Sequence, residues 1–247
     1  ERFRQNIRYF DAVCRVVNGL RGMTVGAIGA RTTAFKTVRI DELALQRHGI
    51  TMETLDLSDV FARMSAVRQD DVYRQKESAL DRCGSWSEVP GDAKDKLVRL
   101  GVVLDQIIEE MQLDAIALRC WLEMQKQLGI SPCVLLGELN NRGIAAACEV
   151  DIGNAIAMHA LRLATYSPAM CLDWNNNYGD DDDKCILFHC GPVAPSLMAA
   201  PGTIADHAIL ANAVGDGKGF GCNVGRIGTG PFTFASMTTS NGTLRFY

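Results

Sequence analysis

The sequence predicts an α/β fold: a Rossmann-like parallel-sheet layer domain over residues 1–168, followed by part of a β-rich, barrel-like domain over residues 169–247. Three observations predict it. Short apolar runs alternate with helical patterns through the first part of the chain, as βαβ units around a parallel sheet require. Near residues 165–170 helical periodicity gives way to glycine- and asparagine-rich sequence. The closing stretch "PFTFASMTTSNGTLRFY" then reads as a β-hairpin turning at Asn241-Gly242.

The elements follow in order. Phe3, Ile7, Phe10, Cys14, Val17 and Leu20 recur at helical spacing, and Gly22 is placed to close the helix. "MTVGAIGA" reads as a buried strand, "IDELALQRHG" as a helix ending at Gly49, and "ITMETLDL" as a second strand. Ser58 is the expected N-cap of one long helix through "DVFARMSAVRQDDVYRQKESAL", and "SWSEVPGD" is a break. Leu97, Leu100, Leu104, Ile107 and Met111 alternate in steps of three and four, the clearest apolar stripe in the chain. "DAIALRCW" follows as a strand, then a short helix, then "SPCVLLGEL"; "CEVDIGNAIAMHALRLAT" reads as a helix.

Composition narrows the function classes. The chain has 247 residues, 47% hydrophobic and 22% charged, enough to bury a substantial core. A net charge of −4 argues against a nucleic-acid partner, because neutralising phosphates needs a basic surface. No apolar run approaches the ~20 residues of a membrane span, and the charged opening "ERFRQNIRYF" is no signal peptide. The nine cysteines are scattered without a CxxC pair, which speaks against structural zinc and for small buried hydrophobes in a reducing compartment. The expected location is the cytoplasm. The absence of an initiator Met, and an ending inside the strand-like "TLRFY", suggest a piece of a longer protein.

The densest polar segment is "CLDWNNNYGDDDDKCILFHCGPV", residues 171–193. Asp173 sits inside an apolar run, where a carboxylate needs a partner, a metal or a turn to cap. The aspartates 180–183 lack the alternating ligands of an EF-hand and read as a solvated acidic turn. His189 suits acid–base or metal chemistry if carboxylates are near, and a hydrogen-bonded core role otherwise. Glu149 follows the small-residue run "GIAAAC" at the expected beginning of a helix, where the helix N-terminus favours the ionised carboxylate. The same position also suits a Glu that merely steadies the helix dipole. "GDGKGFGCNVGRIGTG" and "VGAIGARTTAF" both lack a complete phosphate-binding fingerprint, which puts an NAD(P)-dependent oxidoreductase last.

Taken together, "ACEVDIGNAIAMHALR", "CLDWNNNY" and "LFHCGPV" resemble the L-fucose isomerase and L-arabinose isomerase superfamily, more closely its L-fucose isomerase-like branch. The resemblance spans nearly the whole chain. Residues 3–39 look like the opening of that family's second α/β domain, and 217–247 like part of its C-terminal β domain. It implies a ketol-isomerase that interconverts an aldose and a ketose through a cis-enediol with a divalent cation, commonly Mn²⁺, with Mg²⁺ as an alternative. In L-fucose isomerase-type enzymes the metal-binding Glu and Asp stand 24 positions apart, as Glu149 and Asp173 do. Both are therefore expected to bind metal and move the proton, with His189 as a third ligand in the manner of the arabinose-type enzymes. Trp174, Asn175, Asn176 and Asn177 are expected to line the sugar. The family's His from the end of the β domain has no counterpart after His207. That departure keeps open a non-catalytic sugar-binding or regulatory relative. The resemblance also implies a homo-oligomer, in this family often a hexamer.

Overall fold

In the computed structural model, which describes residues 1–247, α1 (Arg2–Leu20) leads into β1 (Thr24–Ile28), α2 (Glu42–Arg47) and β2 (Thr51–Leu55). Then come α3 (Leu57–Ala66), α4 (Asp71–Asp81), β3 (Gly84–Ser85), α5 (Gly91–Glu110) and β4 (Ala115–Leu118). After these follow α6 (Glu123–Leu128), α7 (Cys133–Asn141), β5 (Ala145–Cys148) and α8 (Ile152–Thr165). The remainder holds β6 (Asp173–Tyr178), β7 (Asp181–Phe188), β8 (Gly202–Ala205), α9 (Ala208–Val214), β9 (Cys222–Val224), β10 (Met237–Ser240) and β11 (Thr243–Phe246).

The expected α/β class is what the chain adopts. Four strands form one parallel sheet in the order β2-β1-β4-β5, with Val25 paired to Met52 on one side and Ala115 on the other. The sheet is covered on both faces, so β4 and β5 are buried along their whole length. Alternation divides their side chains. Ile116, Leu118, Ala146 and Cys148 join the larger core under α3, α5 and α7. Ala115, Ala117, Ala145 and Ala147 face the other way, with Ile152, Ala155 and Ile156 of α8. Small residues on that face let α8 lie close against the sheet.

Several local expectations are corrected. The apolar positions of α1 form the predicted helix but bury no residue; the helix leans on α8, where Arg15 donates to the carbonyls of Leu163 (2.7 Å) and Ala164 (2.8 Å). The long helix capped by Ser58 is two helices. Asp56 caps α3 by accepting the Ser58 N–H, and Asp70 restarts the chain as α4 by accepting the Val72 and Tyr73 N–H groups. Arg99 donates to Val67 O at 2.6 Å and holds the break between them. Met111 ends α5 as its C-cap, only partly buried.

A buried ion network fixes α4 and α7 to α5. Lys76 Nζ lies 2.5 Å from Asp105 and 3.2 Å from Glu138, and Arg142 Nε lies 2.7 Å from Glu138. The Lys76 and Glu138 side chains are both 7% exposed, so neither charge is met by bulk water. Lys76→Met is expected to cost about 3 kcal/mol, the low end for breaking a buried pair because Arg142 still faces Glu138. A denaturant midpoint unchanged from the parent protein would refute this.

The second part departs from the expected loops. Residues 173–188 form an antiparallel hairpin, β6 with β7, that turns at Gly179-Asp180 with Gly179 at φ +60°. The acidic run therefore turns and opens β7; Asp182 and Asp183 are exposed, as a solvated run requires. Helical structure also persists past residue 170, in α9. β8 pairs in parallel with β3 and antiparallel with β9. The predicted terminal hairpin is present, with Asn241 at φ +50° and Gly242 at φ +74°, as a tight two-residue turn demands. It docks on the α/β layer through Asp41 N–H to Thr239 Oγ1 (2.8 Å) and Ser236 Oγ to Asn154 Oδ1 (3.0 Å). Gly153 permits that approach, since a Cβ there would stand 2.2 Å from Met237 O.

Candidate active site

Parallel strands deliver their following loops to one edge of the sheet, the usual place for a ligand in an α/β layer. Here the segments after β1, β4 and β5, together with β6, the end of β7 and β10, enclose a cavity of about 450 Å³. Glu149, Asp173 and His189 all line it, although they lie on three separate elements.

Glu149 does not sit in the first turn of α8. It and Val150 both adopt left-handed backbone, at φ +61° and +57°, and Asp151 is the N-cap that accepts the Asn154 N–H at 2.9 Å. Two successive non-glycine residues in that region, one of them β-branched, carry steric strain of about 1–2 kcal/mol each. The expected pull of the helix N-terminus on Glu149 is thus replaced by the opposite effect. Burial raises its pKa from 4.5 to about 7, and the nearby Asp173 and Asp151 carboxylates add to the rise. Burial also raises Asp151.

His189 is carried by the end of β7. Burial lowers its pKa, partly offset by Asp173, so the ring is neutral at pH 7. Its Nε2 lies 3.4 Å from Cys148 Sγ, while Nδ1 is buried without a partner. Gly191 makes room for the ring, since a Cβ there would stand 2.5 Å from Nδ1. Asp173 opens β6 on the exposed side of the cavity.

These groups fit a divalent cation in kind: two carboxylates and a neutral imidazole with an orphaned nitrogen. The Asp173 and Asp151 carboxylates add to the rise that burial gives Glu149, and a cation there would offset their repulsion. Glu149, Asp173 and His189 are not themselves a cluster with every ligand atom within 4.8 Å of the others; Glu149 instead forms such a group with Cys120 and Cys148. Hydrogen bonding to Cys120 and burial push the Cys148 thiol well up, and burial does the same to Cys171 and Cys190, so these sulfurs stay protonated beside the carboxylates.

Of the four residues expected to line a sugar, only Asn175 reaches the cavity. Strand alternation sends Trp174 outward, 66% exposed and edge-on to Phe234 at 6.1 Å. Asn176 and Asn177 are exposed on the same hairpin. The sequence reading missed Asp151, although "DIGN" before an apolar helical run is a legible N-cap signature. It also missed Arg39 and Thr238, which reach the cavity from a loop and from the terminal hairpin and carry no local signal.

No helix is long and apolar enough to cross a membrane. No family model matches the chain. It is 26% identical over 217 residues to the sulfoquinovose isomerase of Priestia megaterium, covering 87% of this chain and 48% of that protein. It is 26% identical over 198 residues to the enzyme of the same name from Alkalicoccus urumqiensis (80% and 44%), and 25% over 218 residues to that of a Clostridium species (87% and 48%). The chain spans about half the length of the curated relatives it matches. Its similarity is thus to sugar isomerases, and these three carry the sulfoquinovose isomerase name rather than that of an L-fucose or L-arabinose enzyme.

Proposed function

We propose that the chain forms the catalytic part of a divalent-cation-dependent aldose–ketose isomerase. Glu149, Asp173 and His189 hold Mn²⁺ or Mg²⁺, and the two carboxylates move the proton through a cis-enediol. The observation that carries this reading is Glu149 itself, held in a cavity beside Asp173 with a pKa of about 7. A carboxyl poised there takes a proton from one sugar carbon and returns it to the next near neutral pH. When bound, the cation supplies Lewis acidity toward the adjacent carbonyl and hydroxyl oxygens of the open-chain sugar. His189 contributes a neutral nitrogen, and the protonated cysteines around it leave hard-ion chemistry to the oxygen donors. Asn175 is positioned to hydrogen-bond a sugar hydroxyl.

The names of the relatives suggest a sulfonated hexose as substrate. Arg39 supports this, as the one Lys or Arg lining a cavity otherwise rich in carboxylates. Its Nε donates to Lys36 O at 2.8 Å, which orients the guanidinium and leaves its outer nitrogens for an anion. The exposed apolar side chains of the β6–β7 hairpin, Trp174, Tyr178, Ile186 and Phe188, support homo-oligomer formation.

Sulfoquinovose incubated in D₂O with the protein and Mn²⁺ is expected to give the ketose with deuterium at the exchanged carbon, followed by NMR. Chelation stops the conversion and added Mn²⁺ restores it. Arg39→Gln is expected to raise KM for the sulfonated sugar about tenfold or more while leaving an uncharged aldose unaffected. Sugar binding without conversion in a metal-loaded protein would make the chain a non-catalytic sugar-binding relative and end the isomerase reading.

A further inference from the structure

Away from the carboxylates, three buried side chains from distant parts of the chain meet. Cys133 is the first residue of α7, His207 the N-cap of α9 and Cys222 the first residue of β9. Their side-chain ligand atoms all lie within 4.8 Å of one another, and the two sulfurs are 3.8 Å apart. His207 Nδ1 accepts the Leu210 N–H at 3.3 Å. A neutral ring with Nδ1 so occupied carries its proton on Nε2, and the imidazole hydrogen-bonds the Cys222 sulfur. That tautomer leaves no ring lone pair for a metal, although the residue types would suit zinc. The imidazole N–H therefore meets the Cys222 sulfur, and Cys222 Sγ in turn lies in hydrogen-bond contact with Cys133 Sγ at 3.8 Å.

We propose that Cys133 and Cys222 are a site of reversible oxidation, a dithiol–disulfide pair in which Cys222 is the sulfur attacked by hydrogen peroxide. The Cys222 thiolate attacks one peroxide oxygen and the O–O bond breaks. Sulfur loses two electrons and becomes a sulfenic acid; the second oxygen leaves as hydroxide and is protonated to water. The Cys133 sulfur then gives up its proton to the sulfenic hydroxyl and attacks Cys222. The S–O bond breaks, water leaves and the S–S bond forms. The balance is two thiols and one peroxide giving one disulfide and two waters.

The surroundings of the two sulfurs divide the roles between them. Once Cys222 is ionised, a hydrogen bond from Cys133, helped by His207 and opposed by burial, holds it below the usual thiol range, whereas Cys133 is pushed well up and keeps its proton as the resolving thiol. As a thiol, Cys222 donates to Cys190 O at 3.4 Å, a bond lost on ionisation, while the His207 imidazole remains beside the thiolate. Cys222 is only 6% exposed, which selects a small oxidant such as a hydroperoxide over a bulky disulfide.

Reduced protein treated with hydrogen peroxide and mapped by mass spectrometry without reduction is expected to yield the Cys133 peptide linked to the Cys222 peptide, two hydrogens lighter. Dithiothreitol restores both. Cys133→Ser stops at a sulfenic acid on Cys222 that dimedone captures, and Cys222→Ser leaves Cys133 reduced. His207→Asn retains a helix-capping side chain and is expected to slow Cys222 oxidation by a few-fold, since thiolate fraction falls while nucleophilicity rises. The wild-type map decides the proposal even where a variant fails to fold. Exposed thiols oxidised while Cys133 and Cys222 stay reduced, or a zinc ion that copurifies and is lost in Cys222→Ser, would overturn it.

Discussion

Glu149→Gln is expected to lower the isomerisation rate by about 10²–10⁴-fold, the usual worth of a positioned proton-transfer group. The amide keeps the shape of the side chain but neither takes the proton nor offers the cation a charge. The same substitution has a signature in stability that needs no substrate. Without a cation, the folded protein holds a proton on Glu149 up to about pH 7, whereas the carboxyl has an ordinary value of 4.5. Between those values the folded state binds more protons than the unfolded one, so this group's contribution is full below about 4.5 and is lost as pH rises through 7. The thermal midpoint of the metal-free protein is expected to fall over this window, and Glu149→Gln to flatten the slope. In the proposed site Mn²⁺ would displace that proton, so calorimetry in buffers of different ionisation enthalpy is expected to detect proton release on its addition. An unchanged slope in the Gln variant would remove Glu149 as the raised carboxyl.

Asp173→Asn is expected to cost a similar factor, about 10²–10⁴-fold, together with the bound Mn²⁺. Asp173 stands exposed at the first position of β6, so the change leaves the fold intact and the effect is local. It also removes the larger of the two carboxylate effects on Glu149, whose pKa then moves down toward its ordinary value. In the proposed mechanism the two residues would act on one cation and one proton, so the double variant is expected to fall little below the worse single one. A variant that retained both manganese, by elemental analysis, and turnover would eliminate Asp173 from the site.

What was legible in the sequence was local. The alternation Ala115-Ile116-Ala117-Leu118 defines a strand buried on both faces, and the stripe Leu97, Leu100, Leu104 and Ile107 defines α5, because side-chain direction repeats with fixed period along each element. Asn241-Gly242 dictates its turn through backbone sterics alone. Helix ends were less legible. Ser58 and Asp56 are both acceptable caps, and the choice fell to Asp56 once the Ser58 N–H pointed to its carboxylate. The segment 171–193 reads as a loop because its polar residues hide a strand pattern that pairing with β7 makes regular.

The sequence by itself determined the α/β class, the parallel sheet and the 24-residue interval between Glu149 and Asp173, since these depend on periodicity and position along the chain. Only the tertiary structure decided that Glu149 lies before the helix in strained backbone, where burial and neighbouring carboxylates raise it instead of a helix dipole lowering it. Only tertiary structure, too, brought Arg39 to the cavity and Cys133, 89 positions from Cys222, to the same sulfur pair. Such meetings leave no periodic trace, because they are set by where whole layers pack and not by any residue's immediate neighbours.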